Sequence, residues 1–174
     1  MIPQIKTILF ATDLSKNSAY AFYYAVHLAK RDEAKIIILH VVEPLPRMMV
    51  SFKDFDHQVA KDRWDETVKK FKEKIQDVSV KVDAQTGMSS VDLISDILIR
   101  PGDPAEEILK VVNEERCDVI VLGTHSKGFL AQTLLGSVSK SVLQGSQKPI
   151  FIVPLPTGDT KTQLNLNSME FKQT

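Results

Sequence analysis

The stretch that most constrains the fold of this chain covers residues 118–138, DVIVLGTHSKGFLAQTLLGSV. It begins with a short apolar run at 119–122, rich in β-branched residues, which predicts a buried parallel strand. A polar loop with glycines at both ends follows at 123–128, and Gly136-Ser137 then precedes a segment of helical periodicity. A glycine loop between a strand and a helix favours an anion, because backbone N–H groups and the helix dipole point outward there.

Glycine also serves ordinary turns, so the loop alone does not separate a phosphate site from a turn. At a phosphate site, glycine permits a close backbone approach and a positive φ. Gly123 and Gly128 have the P-loop interval, but Phe129-Leu130 stands where Lys and Ser or Thr are required. No G-x-G-x-x-G motif follows any predicted strand, so the dinucleotide fingerprint is also missing.

The loop instead resembles that of the universal stress protein family. The family's ATP-binding members carry G-x2-G-x9-G-[S/T] between the fourth strand and the last helix. In this chain, Gly123 to Ser126 is followed, after nine residues, by Gly136-Ser137. The match holds in length and at both ends, with Ser126 in place of the second glycine. The resemblance covers residues 4–154, with R-x-G-x-P at Arg100 to Pro104 as a further shared feature.

Composition limits the class of protein. The 174 residues are enough for one domain with a sizeable core, and 43% hydrophobic with 25% charged residues is ordinary for a globular protein. The formal net charge of zero argues against a nucleic-acid partner, which requires a basic excess. The single cysteine, Cys117, is expected to be a core thiol. Without signal-peptide features or a long apolar run, we expect a cytoplasmic protein with no membrane partner.

Predicted strands and helices alternate along the chain, which indicates an α/β fold with a parallel sheet covered by helices on both faces. Alternating Val78, Val80 and Val82 suggest that segment 78–90 is a short edge strand or hairpin. Residues 1–154 would form the domain, and the polar segment 155–174 a mobile tail. Strands are predicted at 5–11, 34–42, 95–100, 119–122 and 150–153, and helices at 17–31, from just after 57 to about 76, from 104 and from 137.

The turn after the first strand supplies a second candidate for ligand contact. Asp13 falls at the carboxyl end of that strand, where open α/β sheets bind ligands. Alternatively, Asp13 or Ser15 caps the helix that follows, and the two roles are compatible. The family's first strand ends in a similar Asp-x-Ser, whose Asp lies against the nucleoside. His40, at the end of the second predicted strand, has no nucleophile or paired carboxylate beside it and is taken as structural.

The resemblance implies a Rossmann-like sheet of strand order 3-2-1-4-5, similar to the adenine nucleotide alpha hydrolase group. Strands one and four would be neighbours, so Asp13 would lie beside the glycine loop. Asp13 would bond the ribose, Val41 would line the adenine, and the residues from Gly136 would offer N–H groups to phosphate. Lys127 would neutralise phosphate charge. The nucleotide-binding residues so implied are Thr12, Asp13, Val41, Leu122, Gly123, His125, Ser126, Gly136, Ser137, Val138 and Ser139.

Ser126 leaves the number of phosphates open. If its position requires a left-handed backbone, a residue other than glycine costs roughly 1–2 kcal/mol there, or about tenfold to thirtyfold in ATP affinity. Its hydroxyl could recover part of this by donating to a phosphate, or its side chain could leave room only for AMP or ADP. Magnesium would accompany the phosphates. No metal site of the protein's own is expected from Asp54, Asp56 and His57, which lack a second group elsewhere.

Two function classes remain open from the sequence. One is an adenine-nucleotide sensor whose bound state alters dimerisation or contact with a protein partner, and the other is an interaction module that binds no nucleotide. The apolar segment Ile150–Val153 is expected to be an edge strand and to pair with its copy in a homodimer. The resemblance allows at most slow ATP hydrolysis or self-phosphorylation, at Ser137 or Thr124, and no catalytic residue is assigned.

Overall fold

The fold is a five-stranded parallel sheet in the order β3-β2-β1-β4-β5. The computed structural model of the protein describes residues 4–43, 57–124 and 135–154. The strands are β1 (Thr7–Ala11), β2 (Lys35–Val42), β3 (Ile94–Pro101), β4 (Val119–Gly123) and β5 (Ile150–Val153). The helices are α1 (Lys16–Asp32), α2 (His57–Thr86), α3 (Pro104–Glu114) and α4 (Ser137–Gly145), with a short 3-10 turn at Val91–Leu93.

The predicted strand order is confirmed, and it makes β1 the centre of the sheet. Leu9 of β1 pairs with Ile37 of β2 on one side and with Ile120 of β4 on the other. The chain therefore moves outward from β1 in one direction through β2 and β3, and in the other direction through β4 and β5. A crevice opens at such a reversal point, outside the carboxyl ends of the two central strands.

Alternation along β1 divides the core into two apolar layers. Ile8 and Phe10 point into one layer, where they pack with α1 and α2, and Leu9 and Ala11 point into the other, with α3 and α4. Successive side chains of a strand point to opposite faces of its sheet, so a continuous apolar run is needed when helices cover both faces. This is why the buried strands are read directly from uninterrupted apolar segments of sequence.

The helix starts follow the capping residues in the sequence. Ser15 is the N-cap of α1 and its side chain accepts a hydrogen bond from the Ser18 N–H at 3.2 Å. Asp103 caps α3 by accepting from the N–H groups of Ala105 and Glu106, with Pro104 at the first helical position as predicted. Since Ser15 is the cap, Asp13 is left outside the helix.

The prediction of a strand or hairpin at 78–90 is wrong, because α2 continues without interruption to Thr86. Val78 and Val82 are buried at helical spacing from Ile75, whereas Val80 is 61% exposed on the opposite side. Alternation of the three valines favours a period of two, whereas Val78 and Val82 alone, four residues apart, also fit a period of 3.6. Packing of one helical face against the sheet decides between these two periods.

The structure tests the prediction for Cys117, whereas some other predictions concern residues that it does not describe. Cys117 is fully buried, and burial raises the pKa of its thiol to about 11, as expected for a core cysteine. Within the described ranges, no helix is long and apolar enough to span a membrane. The predicted tail 155–174 and the residues Asp54 and Asp56 lie outside the described part of the chain.

Candidate functional site

A cavity of about 170 Å³ lies at the carboxyl ends of β1, β2 and β4. The described residues that line it come from both sides of the reversal point in the sheet, which is where open α/β sheets bind ligands. They are Ala11, Thr12, Asp13, Ser18, Leu39, Val41, Glu43, Pro104, Ile108, Leu122, Gly123, Thr124, Gly136, Ser137, Val138 and Ser139.

The turn after β1 is held by the buried residue Thr12. Its N–H donates to the Leu39 carbonyl at 2.9 Å, extending the β1–β2 ladder by one bond. Its Oγ1 accepts the Leu14 N–H at 3.0 Å and is also bonded to the Ser18 hydroxyl at 2.8 Å. The side chain of Thr12 therefore shapes the turn through both of these hydroxyl contacts.

Asp13 presents its carboxylate at the edge of this cavity. Its Oδ1 accepts the Ser15 N–H at 3.0 Å, a local turn contact that fixes the side chain. Among the described residues, Oδ2 has no hydrogen-bond partner, and the side chain is exposed. A fixed carboxylate with one free oxygen is well suited to accept hydrogen bonds from hydroxyl groups of a ligand.

The other wall of the cavity is the junction of β4 and α4. The Gly136 N–H donates to the Thr124 carbonyl at 2.8 Å, which draws the start of α4 against the end of β4. The first helical bond is donated by the Lys140 N–H to the Gly136 carbonyl at 2.9 Å. The N–H groups of Ser137, Val138 and Ser139 therefore have no acceptor within the helix. These three N–H groups and the positive end of the helix dipole are chemically suited to an anion at this wall of the cavity.

The positive φ that glycine permits is not used at Gly123 or Gly136. Gly136 has φ −59° and ψ 159°, which any residue can adopt, and Gly123 is not among the glycines of positive φ in the described chain. The other expected reason for glycine, a close approach of ligand to backbone, stays a prediction. It is supported by the position of both glycines in the cavity wall, where they present bare backbone. Ser139 is buried and its hydroxyl donates to the Gly123 carbonyl at 2.9 Å, so this hydroxyl serves the junction.

Part of the cavity lining is apolar. Leu39 and Val41 of β2, Leu122 of β4 and Ile108 of α3 contribute aliphatic surface. The same cavity is also lined by polar groups at Asp13 and at the start of α4, so it suits a ligand that has both an apolar part and an anionic part.

Most predicted site residues come together, and the structure adds some that sequence reasoning missed. The structure places Thr12, Asp13, Val41, Leu122, Gly123, Gly136, Ser137, Val138 and Ser139 around one cavity. His125, Ser126 and Lys127 lie outside the described residues. Glu43 and Pro104 line the cavity but were not predicted. Each lies at or just after the carboxyl end of a strand, and that position was the available signal.

The sheet order and the crevice define an open α/β protein of the Rossmann-like class. Residues 4–154 match the Universal stress protein family, and the chain belongs to this family. Universal stress protein MJ0577 of Methanocaldococcus jannaschii is 27% identical over 165 residues, covering 85% of this chain and 94% of the relative. Universal stress protein MJ0531 of the same organism is 30% identical over 151 residues, covering 87% of this chain and 83% of the relative.

Solved structures share the fold. A structure of MJ0577 aligns with a TM-score of 0.62 and 25% identity over 90% of this chain and all of that chain. A universal stress protein in complex with cAMP aligns with a TM-score of 0.53 and 22% identity, covering 87% of this chain and 98% of that chain.

Proposed function

We propose that this protein binds an adenine nucleotide in the crevice and acts as a cytoplasmic regulatory dimer in the stress response. The observation that carries the proposal is the meeting of Asp13 with the Gly136-Ser137 start of α4 around one cavity, although they are far apart in sequence. A universal stress protein of the same fold is described in complex with cAMP, an adenine nucleotide. That complex supports the class of ligand assigned to this chain.

The two ends of the cavity match the two ends of a nucleotide. Val41 and Leu39 offer aliphatic surface to the adenine ring, and the free oxygen of Asp13 accepts from the ribose hydroxyls. Leu122 and Gly123 run beneath the nucleoside. The N–H groups of Ser137 and its two successors donate to phosphate oxygens, as helix amino ends do for anions. Magnesium, when present, is held through the phosphates.

A titration of the purified, nucleotide-stripped protein tests this proposal. ATP, ADP and AMP are added in separate calorimetric experiments, with and without magnesium. Micromolar binding of any one of them supports the proposal, and preference for AMP over ATP assigns a sensor of energy charge. Absence of binding for all three refutes the nucleotide proposal and favours the interaction-module alternative.

Replacing Gly136 with alanine is expected to weaken AMP binding by about tenfold or more, since the added methyl group adds bulk where the phosphates approach. Stability is expected to change by less than about 1 kcal/mol, because φ −59° suits alanine. The comparison is Gly87→Ala, at φ +66° with nothing within 4 Å, where strain costs about 1–2 kcal/mol of stability and leaves AMP affinity unchanged. Unchanged AMP affinity in Gly136→Ala, measured by calorimetry, would contradict the assigned phosphate position.

The dimer part of the proposal rests on the exposed edge of β5. This strand is last in the sheet order, and its Phe151 is 40% exposed and packs against Tyr24 of α1 with ring centroids 5.8 Å apart. An apolar edge strand without protecting charges tends to pair with another strand. In the proposed dimer, β5 of a second copy forms hydrogen bonds with the N–H and C=O groups along the edge of β5 and covers the Phe151–Tyr24 pair.

Replacing Phe151 with glutamate is expected to convert the dimer to a monomer at micromolar concentration, because like charges then meet across the two-fold axis. Light scattering after size exclusion measures the mass. The matched variant is Val91→Glu, since Val91 is 53% exposed near the opposite edge of the sheet, and it is expected to remain dimeric. A monomeric wild-type protein would refute the dimer.

A further inference from the structure

His40 connects α2 to the turn that carries Asp13. It lies near the carboxyl end of β2, and its Nδ1 is 2.8 Å from the Thr12 carbonyl oxygen. On its other side, the imidazole stacks on Phe71 of α2, with ring centroids 4.7 Å apart and an interplanar angle of 14°. One side chain therefore contacts both a helix that does not line the cavity and the turn that does.

The hydrogen bond fixes the tautomer of His40. A carbonyl oxygen only accepts hydrogen bonds, so Nδ1 must carry the proton and donate. Strand pairing between β1 and β2 ends at Ala11 and Leu39, and the imidazole bonds the chain just beyond that point. His40 therefore extends the restraint of the sheet into the turn.

The turn needs such restraint because its backbone is strained. Leu14, next to Asp13, has φ +63°, a left-handed conformation that costs a residue with a side chain roughly 1–2 kcal/mol. Strain of this kind persists only where surrounding contacts determine the conformation. Those contacts include the Thr12 hydroxyl on the Leu14 N–H and the imidazole on the Thr12 carbonyl.

We propose that His40 is a positioning residue of the nucleotide site, holding the Thr12-Asp13 turn through the Thr12 carbonyl while Phe71 of α2 fixes its ring. The inference rests on the proposed nucleotide function, because it concerns how Asp13 is placed for the ribose. It also assigns α2 a role in binding, since changes in α2 at Phe71 reach Asp13 through His40. His40 itself does not line the cavity in the described chain.

Burial of His40, together with the groups around it, makes the arrangement dependent on pH. Burial, the largest cause, lowers the pKa of His40 below its ordinary 6.5, and Lys74 of α2 acts in the same direction. The bond to Thr12 and the charge of Asp13 act in the opposite direction. Because the unfolded chain then binds the proton more readily, the stability due to neutral His40 is complete above pH 6.5 and declines as the pH falls below it.

The first experiment uses no nucleotide. Nitrogen-15 spectra of the wild-type imidazole report whether Nδ1 carries the proton. Hydrogen exchange then measures the Leu14 and Ser15 amides in the wild type, in His40→Phe, which can still stack on Phe71 but has no donor, and in His40→Asn, whose amide can donate from near the Nδ1 position. We expect an Nδ1 proton, exchange about fivefold to tenfold faster in His40→Phe, and partial recovery in His40→Asn. An unprotonated Nδ1, or equal exchange in all three proteins, would overturn the inference.

The second experiment measures AMP affinity by calorimetry in the same proteins. We expect His40→Phe to bind about fivefold to tenfold more weakly, with recovery in His40→Asn and a smaller loss in Phe71→Leu. The control is His27→Asn at an exposed histidine of α1, which is expected to bind as the wild type does. Equal affinity in His40→Phe and wild type would overturn the positioning role. A wild type that binds no AMP refutes the proposed function, and the exchange data still decide whether His40 holds the turn.

Discussion

Replacing Asp13 with alanine is expected to weaken AMP binding by roughly tenfold to a hundredfold. Hydrogen bonds to a charged group are worth about 1.5–3 kcal/mol, and each 1.4 kcal/mol is about tenfold in affinity. Asp13 is exposed and makes one turn contact, through the Ser15 N–H, so the loss of binding is expected without loss of the fold. Calorimetric titration with AMP provides the measurement.

The control for this prediction removes the same charge elsewhere. Asp77→Ala changes an exposed carboxylate on α2 that is not among the described residues lining the cavity, and this variant is expected to bind AMP as the wild type does. Asp13→Asn keeps the shape and one acceptor and is expected to fall between the alanine variant and the wild type. AMP affinity in Asp13→Ala equal to that of the wild type would remove Asp13 from the site.

Replacing Phe22 with alanine is expected to lower the free energy of unfolding by about 3–5 kcal/mol, which corresponds to a fall in Tm of about 6–20 °C for a chain of this size. Phe22 is almost completely buried between α1 and the sheet, and its ring centroid lies 5.2 Å from that of Phe10. The loss combines the apolar transfer of the ring with the cavity that remains.

Denaturant unfolding monitored by circular dichroism measures this effect. The midpoint is expected to fall while the slope of free energy against denaturant stays the same, because the surface exposed on unfolding hardly changes. Phe22→Leu fills part of the space and is expected to lose less stability than the alanine variant. A loss below about 1 kcal/mol in Phe22→Ala would show that the core re-packs around the gap.

Two predictions in the sequence analysis show where local patterns suffice. The apolar segment that became β5 was bounded correctly, because Pro149 precedes it and Pro154 follows it. The start of α3 was also correct, because Asp103 and Pro104 fix a helix start through their own side-chain chemistry. In both cases, the residues that decide the boundary are neighbours in sequence.

The extent of α2 shows where local patterns fail. Val78, Val80 and Val82 alternate like a strand, yet only Val80 is exposed, because Val78 and Val82 lie on the helical face that packs on the sheet. Glu43 was missed for a related reason. Whether a residue at a strand end lines a cavity depends on which strand lies beside it.

The sequence by itself determined the alternation of strands and helices, the cap of α3, and the motif that carries the family resemblance. All of these depend on residues that lie within a short stretch of the sequence. Only the tertiary structure decided that the Ser139 hydroxyl closes the β4–α4 junction and that His40 lies between Phe71 and Thr12. The physical reason is that strand order sets which distant side chains meet, and that order depends on burial of both sheet faces at once.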